Sequence, residues 1–145
     1  MTAITTRSVR DTRSNVAAGA APGDSLLRFA LRADATLCAG LGLLIAMAAD
    51  PLSKLSGLSA TSEWISGAAL VVYGATLYLL AGVPDVRRLG TGVLASNIAF
   101  AIVVTVVLIA GWLPLTGLGV VATIAFTVVT LAFAYVQYLG VRRLA

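Results

Sequence analysis

Few side chains in this sequence could do chemistry, and those few fall at spacings that matter. The chain has no His and a single Cys, Cys38. There is therefore no Ser–His pair for nucleophilic catalysis, and no His/Cys cluster for zinc, haem or iron–sulfur. No phosphate-binding glycine loop of the G-x-x-x-x-G-K-[ST] kind occurs, nor a Ser–Lys pattern. We expect no catalytic residues, no cofactor site and no metal site. Cys38 stands in an apolar run and is expected to pack as a small residue. What remains is one acid, Asp34, beside Arg32 in the stretch "LRADATLCAGLG", two amides, Asn97 and Gln137, and a pair of terminal arginines, Arg142 and Arg143. A carboxyl, two amides and cations can build a polar cluster that ties helices together or binds a proton, an ion or a small ligand.

The elements that would position these groups follow from composition. Hydrophobic residues make up 59% of the 145 residues and charged residues 11%. A soluble domain carries about 25% charged residues, so the chain belongs in a bilayer. Four apolar runs predict spans of about 33–50, 64–83, 89–111 and 118–139. Crossing a ~30 Å hydrocarbon core takes about 20 helical residues, and lipid offers no partner to open backbone groups. The β-branched residues of the last two runs would suggest strands in water; length and hydropathy override that here. The expected fold class is all-α, a four-transmembrane-helix bundle in residues 24–145.

Residues 1–23 are rich in Thr, Ser, Ala and Arg without apolar periodicity, and predict a disordered basic tail. Ala46-Met47-Ala48 loosely resembles a signal-cleavage site, but the first apolar run starts too far in for an ordinary secretory signal, and we expect it to be retained. Asp24 or Ser25 is expected to cap the first helix, and Asp50-Pro51 to end it. The loop after it, residues 50–62, is long enough to be partly helical.

Basic residues set the orientation. Arg7, Arg10, Arg13, Arg28, Arg32, Arg87, Arg88, Arg142 and Arg143 fall on one side, and only Lys54 on the other. Both termini are therefore expected in the cytoplasm of a bacterial cell, the protein lying in the inner membrane. Trp64 and Trp112 fall at the outer ends of the spans, and Tyr78, Tyr135 and Tyr138 near the inner ends.

Helical phase then sorts the faces. Asp34, Cys38, Gly42 and Ile45 share one face of the first span. Gly67, Gly74 and Ala81 recur every seven residues in the second, with Tyr78 beside them. Gly90, Asn97, Ala101 and Val104 align in the third, and Thr123, Thr130 and Gln137, with Ala134, in the fourth. Small or weakly polar residues at this period mark a packing seam. At 1.5 Å per residue, Asn97 lies about 12 Å in from Leu89 and Gln137 about 7–8 Å in from Arg142, while Asp34 is expected at the inner boundary. Arg32, Asp34, Asn97 and Gln137, rimmed by Arg142 and Arg143, are thus expected to meet in the inner leaflet.

"LRADA", Asn97, the pair Gly111-Trp112 and the ending "QYLGVRR" together resemble a group of small bacterial integral membrane proteins with four predicted spans and no assigned activity. The resemblance covers roughly residues 26–143. It implies the four-span topology, draws attention to the same polar residues, and implies no substrate. Small multidrug exporters and DoxX-like proteins also have four spans. The exporters use an acid well inside the first helix, and the expected edge position of Asp34 separates this chain from them.

The first expectation for function is a non-enzymatic accessory or scaffold subunit with a membrane-protein partner. The second is a homo-oligomeric transporter, or a lipid- or small-molecule-binding protein, that uses the inner-leaflet cluster. The expected contacts are the bilayer, anionic lipid at the basic face, and no nucleic acid.

Overall fold

A computed structural model describes residues 22–144. The expected tail, 1–23, lies outside the described residues except for its last two. The chain forms α1 (Pro22–Met47), α2 (Ala49–Ser56), α3 (Ala60–Leu80), α4 (Val86–Ala110) and α5 (Gly117–Arg143). The fold is an all-α bundle, and α1, α3, α4 and α5 are each long and apolar enough to cross a membrane.

Two boundaries differ from expectation. α1 starts at Pro22, just before the expected cap at Asp24 or Ser25, so Asp24 lies in its first turn, and the stretch apolar enough to cross a membrane starts at Asp24, not near residue 33. The charges that interrupt the apolar pattern there are internally satisfied. Arg28 Nε donates to Asp24 Oδ2 at 3.0 Å, one turn back. Arg28 Nη1 donates to the carbonyls of Ala81 (2.8 Å) and Val83 (2.9 Å), two acceptors that the end of α3 leaves open. One arginine thus fastens α1 to the α3–α4 turn. At its other end α1 stops at Met47, before Asp50-Pro51, and Pro51 sits in the first turn of α2, where its missing N–H is not needed.

α2 folds over the end of the bundle away from the termini. Gly57, at φ 89°, closes it in the left-handed region that favours glycine. Thr116 then locks α2 to the start of α5: its N–H donates to Ser56 O at 2.8 Å, its hydroxyl to Leu55 O, and its Oγ1 also caps α5 by accepting from Gly119 N at 3.1 Å. Ser56 Oγ donates to Glu63, which accounts for that buried carboxylate. Ser59 caps α3, accepting from Ser62 N at 3.1 Å.

α1 touches every other helix, whereas α3 and α4, consecutive in sequence, hardly meet. Lipid tails are as apolar as Leu, so close packing rather than escape from water holds the helices together. The α1–α3 seam is built from small residues. A Cβ on Gly67 would stand 2.5 Å from Ala46 N, and one on Gly74 2.5 Å from Ala35 O. The seven-residue repeat of Gly67 and Gly74 is therefore the line along which the two backbones approach. At the terminus end, Leu27 is fully buried between Gly90 of α4 and Gly140 of α5. With Leu31, Leu77, Ala81, Val86 and Val93 it forms an apolar plug. Leu, Val and Ile side chains elsewhere on α4 and α5, such as Val103, Ile109 and Val121, are exposed to the lipid side.

Candidate functional site

Three of the six polar residues singled out by sequence meet in the bundle. Asp34 on α1, Asn97 on α4 and Gln137 on α5 are 3%, 6% and 0% exposed. Asn97 Nδ2 donates to Asp34 Oδ2 and to Gln137 Oε1, each at 3.2 Å. Gln137 Nε2 donates to the same Asp34 Oδ2 at 2.9 Å. Every partner of the carboxyl is a donor, and Oδ2 takes both amides. Among the described residues Oδ1 has only the Cys38 thiol, at 3.5 Å. Cys38 is buried as expected, but it also touches the acid.

The other three stand apart. Arg32 is exposed, its guanidinium 5.9 Å from the centre of the Tyr78 ring, close enough for a cation–π contact. Two residues apart on a helix is about 200° of rotation, so Arg32 and Asp34 face opposite ways. Arg142 and Arg143 are exposed at the end of α5. The ion pairs among the described residues are Arg28–Asp24 and Arg88–Asp85, and neither reaches Asp34.

The place of Asp34 along the first span also differs from expectation: the helix long and apolar enough to cross a membrane runs Asp24–Met47, and Asp34 lies about 15 Å from its start at 1.5 Å per residue. The plug of Leu27 and Leu31 lies between it and the terminus end. Asp34 is an interior residue, so edge position does not separate this chain from proteins with an acid inside their first span.

Beside the cluster is a cavity of about 220 Å³, where α3 and α4 fail to close. Asp34, Cys38 and Asn97 form part of its wall, with Tyr73, Phe100 and Phe126. Its polar end holds the Tyr73 hydroxyl, which is buried without a hydrogen-bond partner among the described residues. Its apolar end is framed by Phe100 and Phe126, edge to face with centroids 5.8 Å apart. Ser96 and Phe100 are exposed, so the cavity opens sideways between α3 and α4. Tyr73 escapes a reading of the sequence because an aromatic inside an apolar run carries no periodic mark. Its place next to Gly74 of the seam is the one available signal.

Comparison with protein-family models, with characterised proteins and with solved structures finds no match to this chain.

Proposed function

We propose that this chain is a non-enzymatic multi-pass protein of a bacterial inner membrane, with both termini in the cytoplasm, that holds a small molecule or ion inside its helix bundle. The observation that carries this reading is Asp34: a carboxyl 3% exposed, braced by two amides, beside an open cavity and in no ion pair among the described residues. A structural tie between helices needs only the amides, whose hydrogen bonds contribute about 0.6–2 kcal/mol each. An intramembrane carboxyl is expensive to bury, and such residues mark pathways and binding sites. The accessory or scaffold reading accounts for the tie but not for the acid beside an unfilled space.

The excess of arginine on one side supports the orientation. Arg87, Arg88, Arg142 and Arg143 are exposed there, and each basic side chain near an anionic leaflet contributes about 1 kcal/mol of attraction. Four spans do not enclose a pathway alone, so a transport role calls for a homo-oligomer.

Asp34→Asn tests the reading, because it keeps the size of the side chain and one oxygen to accept from both amides, and removes the acid. Wild type and variant are purified in parallel, and small molecules released by organic solvent are compared by mass. The variant is expected to melt within a few degrees of wild type and to lose a species that wild type carries. Identical extracts from two folded proteins would overturn the reading.

A further inference from the structure

We propose that the ligand is a small organic cation, a protonated amine carrying one ring or a short chain, bound in the cavity with its ammonium on Asp34 and Tyr73. This rests on the reading that the bundle interior holds a ligand, and it names the ligand's class.

Charge selects the class. Among the described residues the acid of the cluster has no ion-pair partner: Arg28 pairs with Asp24, Arg88 stands near Asp85, and Arg32 lies on Tyr78. An anionic ligand would meet like charge, and a neutral one would leave the carboxyl without a counter-charge. An ammonium supplies both the charge and three donors. The acceptors for it are at hand. Among the described residues Asp34 Oδ1 is engaged only by a thiol at 3.5 Å, and the Tyr73 hydroxyl has no partner and can accept as well as donate.

Shape selects the rest of the molecule. The cavity is polar at Asp34 and Tyr73 and apolar at Leu70, Phe100 and Phe126. Its volume, about 220 Å³, exceeds the ~150 Å³ of an apolar cavity that takes benzene. An ammonium joined to a single ring fits both ends.

Access follows the same gap. A groove of about 480 Å³ shares Tyr73 and Ser96 with the cavity and runs along Gly92 to Asp85 and Arg88. It adjoins the mouth of the cavity and follows α4 toward the terminus end of the bundle.

The test is equilibrium binding of benzylamine, with benzyl alcohol as its uncharged counterpart, to the full chain in detergent micelles, followed by ligand-observed NMR. Benzylamine is expected to bind saturably, and benzyl alcohol at least tenfold more weakly. Asp34→Asn is expected to weaken benzylamine at least tenfold. Tyr73→Phe, which removes one oxygen and keeps the ring, is expected to weaken it several-fold, and it serves should the Asp34 variant not fold. Ser96→Phe, at the exposed mouth, is expected to block entry. Equal binding of the two probes, both blocked by Ser96→Phe, would overturn the amine assignment and leave an interior ligand site standing. Benzylamine binding unchanged in both Asp34→Asn and Tyr73→Phe would overturn the assignment too. Absence of saturable binding by either probe to folded wild type would overturn the assignment and the interior-site reading together.

Discussion

Gly42→Leu is expected to split α1 from α3, while Gly40→Leu, two residues away on the same helix, leaves the protein intact. A Cβ on Gly42 would stand 2.6 Å from Gly67 O, 2.7 Å from Leu70 Cβ and 2.8 Å from Val71 N. Two of those atoms are backbone and cannot rotate aside. A Cβ on Gly40 would meet nothing within 4 Å, and Gly40 is exposed. Both substitutions raise intrinsic helix propensity by up to about 1 kcal/mol, so propensity cannot explain a difference between them. Overpacking a tight core costs about 1–3 kcal/mol. A whole leucine forced between two backbones belongs at or above the top of that range. Thermal unfolding in detergent should show a lowered or lost transition for Gly42→Leu and a wild-type transition for Gly40→Leu. Matching transitions would mean that the α1–α3 seam is not a packing contact.

Gln137→Leu is expected to destabilise the bundle through Asp34 rather than through α5 alone. Gln137 is fully buried, and its Nε2 is one of the two amide donors on Asp34 Oδ2. Losing one donor leaves a buried acid under-partnered, which costs about 1–3 kcal/mol and more for a charged group. Typical interhelical hydrogen bonds in membranes average only about 0.6 kcal/mol. The two figures are separable by a double-mutant cycle with Asp34→Leu. If the acid is the source of the penalty, the double variant should recover at least about 1 kcal/mol relative to the sum of the singles. Simple additivity would show that the three polar groups act independently.

The parts of this structure that sequence makes legible are those written in one helix at a time. The seven-residue recurrence of Gly67 and Gly74 announces the α1–α3 seam, and both glycines are buried on it. Asn97 and Gln137 fall on stripes of small residues, and those stripes are the buried faces of α4 and α5. Helical phase is enough to bring Asp34 to the same place.

What sequence hides depends on contacts between distant segments. Asp24, Arg28 and Arg32 interrupt the apolar run and make the first helix look short. The reason they are tolerated is that Arg28 reaches carbonyls 53 and 55 residues away, a fact with no local signature. Starting the first span near residue 33 is what puts Asp34 at the membrane edge. Nearness along the chain groups Arg32, Arg142 and Arg143 with the cluster, but it says little when neighbours on a helix point to different sides. The cavity is less legible still, since it arises where α3 and α4 fail to touch.

The most direct measurement is native mass spectrometry of the wild-type chain extracted gently from its own membrane. The account predicts a homo-oligomer that carries a low-mass ligand, released when the complex is activated in the gas phase. A chain that carries no such ligand, and comes away in fixed ratio with a different protein, would contradict it and identify an accessory subunit instead.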